Sequence, residues 1–181
     1  AIGHNRYSTA GGESISDAQP IHAKYKLGEI SIVHNGNLVN KNEIREKLID
    51  GGAIFQTDMD TENLIHLIAK STRARLRDRI TDGLKDLTGA YNFIIQSRSK
   101  LFVIRDKHGI RPLSIGKLSS GGWIIASETC AFDLVGATFV RDVKPGEMLI
   151  FGIAYLTQMA KRWSNVAMAP VVLYVLYMNR D

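Results

Sequence analysis

Residues 29–38 read Glu29-Ile30-Ser31-Ile32-Val33-His34-Asn35-Gly36-Asn37-Leu38. The stretch to His34 alternates and then runs apolar, as a strand does, and Asn35-Gly36 is expected to be the turn that ends it. Just downstream, Lys41 to Leu48 sets Ile44 and Leu48 four residues apart with charges between them. That spacing predicts a helix with Asn40 at its N-cap and Gly51-Gly52 at its end. A second helix is expected from Asp60 or Thr61, either of which can cap it, with Leu64, Ile65, Leu67, Ile68, Leu76 and Ile80 as one apolar stripe. Beyond it the chain turns to short β-rich runs at Tyr91–Gln96, Leu101–Arg105, Leu113–Ile115 and Trp123–Ser127, separated by turn residues. A short helix around Cys130 to Val135 and a last strand pair follow, with Lys144-Pro145-Gly146-Glu147 as the turn before Met148–Phe151. Two helices between an early strand and a late meander point to an α+β domain, a sheet of mainly antiparallel pairs covered by helices.

Composition narrows the functional classes. The chain has 181 residues, 45% of them hydrophobic and 23% charged, enough for a single buried core. One cysteine permits neither an internal disulfide nor a thiolate metal cage, which implies a reducing compartment, the cytoplasm. His4, His34 and His66 do not stand at metal-ligand spacing, so no metal site is expected. The net charge is +5, and the run from Lys70 to Arg79 alone carries five basic residues against Asp78. No aromatic residue interrupts that run to stack a base, so a solvated face is expected there and no nucleic acid. Ala1–Ala10 has no secretory apolar core, and the most apolar stretch, Val166–Met178, has 13 residues with Pro170 inside. A spanning helix needs roughly 20, so no membrane association is expected.

Polar residues gather in three places: His4-Asn5-Arg6-Tyr7-Ser8-Thr9, His34-Asn35-Gly36-Asn37 and Thr57-Asp58-Met59-Asp60-Thr61-Glu62. Together they offer the parts that recognise a free amino acid. Arg6 can hold a carboxylate, Asp60 an ammonium, and the Asn35 amide with the Gly36 backbone N–H can donate to a developing oxyanion. Each part also has a plainer use: Asn-Gly as a hairpin turn, Asp60-Thr61-Glu62 as a helix cap, Arg6 in a surface ion pair. Cys130, at the start of a helix, reads as a small core residue.

Taken in order, Gly3-His4-Asn5-Arg6-Tyr7-Ser8-Thr9-Ala10-Gly11, Ala18-Gln19-Pro20, His34-Asn35-Gly36-Asn37-Leu38, Gln56-Thr57-x-x-Asp60-Thr61-Glu62, Gly89-Ala90-Tyr91, Arg105-Asp106-x-x-Gly109-Ile110-Arg111-Pro112-Leu113 and Ser127-Glu128-Thr129-Cys130-Ala131 resemble the glutaminase domain of the glutamine phosphoribosylpyrophosphate amidotransferase family. The likeness covers residues 1–151. It implies a four-layer αββα sandwich of the N-terminal-nucleophile type, incomplete at its N-terminus. It also implies a mechanism in which an N-terminal cysteine attacks the glutamine amide, its own α-amino group acts as base, and water releases glutamate from a thioester. Ammonia then passes to phosphoribosyl diphosphate, giving phosphoribosylamine in purine biosynthesis. On this resemblance Asn35 and Gly36 form the oxyanion hole, Arg6 binds the carboxylate, Asp60 binds the ammonium, and Tyr7 and Thr9 line the pocket.

The chain departs from that family in two respects. No residue corresponds to the nucleophilic cysteine, since Cys130 matches a different position, so the chain alone is expected to be inactive. Residues 152–181 diverge and could begin a phosphoribosyltransferase domain. No cofactor is expected in this chain; magnesium, and in some relatives an iron–sulfur cluster, belong to the full-length parent, which is expected to be a homo-oligomer. The alternatives are a nonenzymatic interaction module in which the two motifs survive as turn and cap, the glutaminase domain of a hexosamine-forming enzyme, and a basic RNA-binding surface at Arg73 to Arg79.

Overall fold

The computed structural model describes residues 1–5, 15–152 and the backbone of 173–175. Its elements run β1 (Ile21–Tyr25), β2 (Gly28–Leu38), α1 (Lys41–Asp50), α2 (Thr61–Lys70), α3 (Leu76–Lys85), β3 (Gly89–Ser97), β4 (Lys100–Arg105), β5 (Ser114–Leu118), β6 (Trp123–Ala126), α4 (Cys130–Leu134), β7 (Ala137–Asp142), β8 (Met148–Gly152) and β9 (Leu173–Val175). They build two sheets, ordered β1-β2-β3-β4-β8 and β7-β5-β6-β9. Every described pairing is antiparallel except that of β9, which lies parallel to β6. The expected mixed α and β character with antiparallel sheets is therefore present.

The alternation of β2 decides how the first sheet is covered. Ile30, Ile32 and Leu38 join Phe93, Ile95, Phe102 and Ile104 in a cluster with Ile44 and Leu48 of α1, Leu64, Ile65 and Ile68 of α2 and Ile80 of α3. Val33, with Ile94, Leu101 and Val103, instead meets Leu113, Ile115 and Ile125 of the second sheet or its approach. A third cluster sets Ile124 and Ala126 against Ala131 and Phe132 of α4. Each apolar side chain buried in these layers contributes about 1.5–3 kcal/mol relative to exposure, so the alternation of β2 is energetically binding.

Three local expectations are corrected. Asn35-Gly36 is no hairpin turn: β2 continues through it, with Asn35 opposite Asn92, Gly36 opposite Tyr91 and Leu38 opposite Gly89. The single stripe from Leu64 to Ile80 is divided between α2 and α3, because Ser71 leaves the helical region at φ −61° and ψ 135°. The strands either side of Lys144–Glu147 are not a pair, for β7 joins β5 in one sheet and β8 joins β4 in the other. In the first and third cases long-range strand pairing overrides a local signal.

The basic run also comes apart. Arg79 is 3% exposed and donates from Nε to the Arg73 carbonyl at 2.6 Å and from Nη1 to the Ile68 and Ala69 carbonyls at 3.3 Å. It thus satisfies the C-terminal carbonyls of α2 that no further helical turn could reach. Arg73 is held by Asp82 at 2.8 Å. Arg79→Met, which keeps the aliphatic stem and removes the donors, is expected to lower unfolding free energy by about 2 kcal/mol. Chemical denaturation checks it, and an unchanged midpoint would show that water takes over those carbonyls. No helix of the described residues is long and apolar enough to cross a membrane.

Candidate functional site

Asp60 stands at the N-cap position of α2, yet its side chain does not cap the helix. Its carboxylate turns instead to the end of β2. Oδ2 accepts the Leu38 N–H at 3.0 Å, and Oδ1 accepts from Nδ1 of His34 at 3.0 Å. The group is 6% exposed. Burial is the largest influence on its ionisation and opposes it, but the His34 imidazole, the Leu38 N–H and the charge of Lys41 together outweigh burial and hold the carboxyl below its ordinary range. The His34 ring is stacked on Phe93 with centroids 4.4 Å apart, which fixes its approach to Asp60. A cleft of about 360 Å³ opens beside Asp60 and is bordered by Lys41, Arg45 and Asn63.

The cap role expected of Glu62 is likewise replaced. Its carboxylate accepts the backbone N–H groups of Gln56 at 2.9 Å and Thr57 at 2.8 Å, and the Thr57 hydroxyl at 2.8 Å. Residues 56–62 therefore form a closed loop that delivers Asp60 to β2.

Asn35 is 3% exposed and donates from Nδ2 to the Ser127 hydroxyl at 3.2 Å, across to the second sheet. That bond uses one amide hydrogen and leaves the other. Asn35 Oδ1 is buried and has no hydrogen-bond partner among the described residues. Gly36 sits at φ +151°, and a Cβ there would run into the Ala90 carbonyl. Asn35, Gly36 and the partners of Asp60 thus lie along the same end of β2, but Asn35 turns to the second sheet while the His34–Asp60 pair lies on the helix-covered face, and no hydrogen bond among the described residues joins Asn35 to Asp60. Arg6, Tyr7 and Thr9 lie outside the described residues.

Two site residues had no role assigned from sequence. The His34 N–H donates to Oε1 of Gln19 at 2.6 Å, while Nε2 of Gln19 donates to the His34 carbonyl at 3.4 Å. Nε2 of His4 also lies 3.1 Å from that carbonyl, which can only accept. The Gln19 carboxamide thereby takes the place of a neighbouring strand's peptide beside β2. Gln19 and His34 were visible only as letters in the motifs, since nothing local foretells either partner. Cys130, expected in the core, is exposed at the start of α4. Among the described residues no group of three His, Cys, Asp or Glu side chains is placed to hold a metal ion.

A family model described as a glutamine amidotransferase domain matches residues 4–133, a span that contains His34, Asn35, Gly36 and Asp60. The chain belongs to the glutamine amidotransferase domain family. Among its relatives, the amidophosphoribosyltransferase of Bacillus subtilis (strain 168) is 48% identical over 151 residues, which are 83% of this chain and 32% of that protein. The chloroplastic amidophosphoribosyltransferase 2 of Arabidopsis thaliana is 47% identical over 150 residues, 83% of this chain and 27% of that protein. The solved structure of glutamine phosphoribosylpyrophosphate amidotransferase from B. subtilis, complexed with ADP and GMP, superposes with a TM-score of 0.76 at 44% identity, covering 81% of this chain and 31% of its own. A structure described as the allosteric regulatory enzyme of purine biosynthesis gives 0.77 at 47% identity, covering 81% of this chain and 32% of its own. The amidotransferase domain accordingly spans about a third or less of the length of these relatives.

Proposed function

We propose that this amidotransferase domain is the glutamine-hydrolysing part of an enzyme that transfers ammonia to phosphoribosyl diphosphate, forming phosphoribosylamine in purine biosynthesis. The observation that carries the proposal is the buried Asp60 carboxylate, fixed by Leu38 and His34 on either side of Asn35-Gly36. In this assignment Asp60 receives the substrate ammonium and Arg6 its carboxylate, with Tyr7 and Thr9 along the pocket wall. The free hydrogen of the Asn35 amide and the Gly36 N–H donate to the oxygen of the scissile amide as negative charge develops there. A thiolate attacks the amide carbon, the C–N bond breaks as nitrogen takes up the thiol's proton and leaves as ammonia, and water then cleaves the thioester to glutamate.

In this reading the nucleophile is a thiol other than Cys130, which stands exposed at the start of α4, and the 181 residues taken alone are proposed to be inactive. Replacing Cys130 by Ser in a longer protein that carries the family's nucleophile is expected to leave glutamine hydrolysis within about twofold of wild type, because an exposed thiol makes little packing or site contribution. Loss of hydrolysis would name Cys130 as the thiol. A four-layer αββα arrangement is supported by the three apolar clusters, which lie on the helix side of the first sheet, between the sheets and under α4. Residues 1–151 would form this unit, and 152–181 would lead into a transferase domain. An iron–sulfur cluster needs several thiolates and does not fit a chain with one cysteine; magnesium is assigned to the transferase part. Assembly into a homo-oligomer in the cytoplasm is proposed for the longer protein only.

The test is titration calorimetry of the chain with glutamine. Weak binding is expected, abolished by Asp60→Asn and by Arg6→Ala. Unchanged affinity in either variant would refute the pocket. Asp60→Asn also carries a pH signature. The folded-state carboxyl titrates below its unfolded value of about 3.9, so its stabilisation is present above that value and lost as pH falls through the folded one. Thermal melts of wild type and variant are expected to differ at neutral pH and to converge as pH falls below about 3.9 and through the folded-state value.

A further inference from the structure

A second cleft, of about 920 Å³, lies away from Asp60, where the β1–β2 turn, the β3–β4 turn and the start of α3 meet. Its lining carries Lys24, Arg75, Arg77, Arg98 and Lys100 against a single acid, Glu29. Arg75 and Arg77 belong to the basic run, but Lys24 comes from β1 and Arg98 and Lys100 from the β3–β4 turn and the start of β4, so the convergence of the three segments is a product of the fold. Glu29 faces Lys24 at 3.9 Å, and Arg77 is held by its neighbour Asp78 at 2.9 Å. Arg75 and Lys100 make no ion pair among the described residues.

The start of α3 strengthens the positive field. Arg75 occupies the N-cap position and makes no side-chain cap, so a cation stands where an anion or hydroxyl is favoured. In the first turn the Asp78 and Arg79 N–H groups are taken by the Arg75 carbonyl at 3.1 Å, and those of Leu76 and Arg77 add their partial positive charge to the same place. A helix start flanked by unpaired arginine and lysine fits phosphate oxygens, which accept both from amides and, bidentately, from guanidinium. Leu27 and Ile150, 43% and 42% exposed, stand at the same cleft and suit the organic part of a ligand.

We propose that this cleft binds a small phosphate-bearing anion through Arg75, Lys100 and the first amides of α3. A nucleic-acid track is disfavoured because the one aromatic lining residue, Phe102, is 1% exposed and offers no face to a base. Arg79, moreover, is buried beneath the surface that such a track would use.

The probe is inorganic tripolyphosphate, titrated calorimetrically into the 181-residue chain at constant ionic strength, with citrate and a single-stranded RNA 12-mer as separate arms. The exposed pair Arg75→Glu/Lys100→Glu is expected to weaken tripolyphosphate binding by about tenfold or more, as loss of two charge-assisted contacts requires. Lys47→Glu/Lys144→Glu, with the same change of net charge outside the cleft, is expected to stay within about twofold. The proposal is overturned if both pairs lose affinity equally, if citrate binds as tightly as tripolyphosphate, or if RNA binds more tightly and depends on Arg75 and Lys100.

Discussion

Gly36→Ala is expected to prevent the chain from folding stably. At φ +151° an L side chain is strained, and the new Cβ would be driven onto the Ala90 carbonyl oxygen and to 2.8 Å from Tyr91 Cα. Both obstacles are backbone atoms of β3, so no rotamer change relieves them. The strands would have to separate where Asn35, Gly36 and Leu38 face Asn92, Tyr91 and Gly89, in the middle of the largest apolar cluster. A cost above about 4 kcal/mol is expected, a large share of the 5–15 kcal/mol that holds a domain of this size together. Circular dichroism melts check it. Gly152→Ala is the control, since a Cβ there meets nothing within 4 Å, and a similar loss in both variants would mean that Gly36 is not specially constrained.

The second large effect is expected at the passage from the first sheet to the second. Asp106 is fully buried, and its carboxylate accepts the N–H groups of His108 at 2.8 Å, Gly109 at 2.9 Å and Ile110 at 3.1 Å. Its own carbonyl takes the Gly146 N–H at 2.8 Å, so the loop before β5 and the turn before β8 are tied to one residue. Arg105 fastens the same crossing by donating to the carbonyls of Arg111, Val143 and Gly109. Asp106→Ala strands the His108 and Ile110 donors and leaves Gly109 only its bond to the residue 106 carbonyl at 3.1 Å; at about 1–3 kcal/mol for each donor left without an acceptor, the total is on the order of 3–5 kcal/mol. A fall in melting temperature on the order of 10 °C follows for a domain of this length. Asp106→Asn retains one acceptor oxygen and is expected to lose less than half as much. Equal melts for the two variants would show that the carboxylate's second oxygen, and not the amide bonds to the first, holds the loop.

Much of the fold was legible because it is written in short-range periodicity. Ile44 and Leu48, or Leu64 and Ile68, mark buried helix faces at helical spacing, and the β-rich runs from Tyr91 to Ser127 each became a strand. What was not legible depends on partners far along the chain. Asn-Gly has strong turn chemistry, yet β3 continues the ladder past it, and the glycine serves close strand approach. No local signal sends β7 and β8 to different sheets. In the site, Asn35, Gly36 and Asp60 were identifiable by residue type, but the helix-cap use of Asp60 gave way to His34 and Leu38, and that of Glu62 to Gln56 and Thr57. Both carboxylates anchor loops through backbone amides whose identity only the tertiary structure reveals. Cys130 was misjudged because its helix is only five residues long and buries Ala131 and Phe132 instead.

The Gln19 carboxamide beside His34 has a consequence for how the molecule behaves among its own copies. Beyond Ile32, β1 no longer accompanies β2, and open amide and carbonyl groups along that margin would invite a foreign segment to attach and seed aggregation. By mimicking one peptide unit, Gln19 satisfies the His34 amide and carbonyl without extending the strand, so at that position the margin offers a second molecule no open pair to lengthen into a fibre.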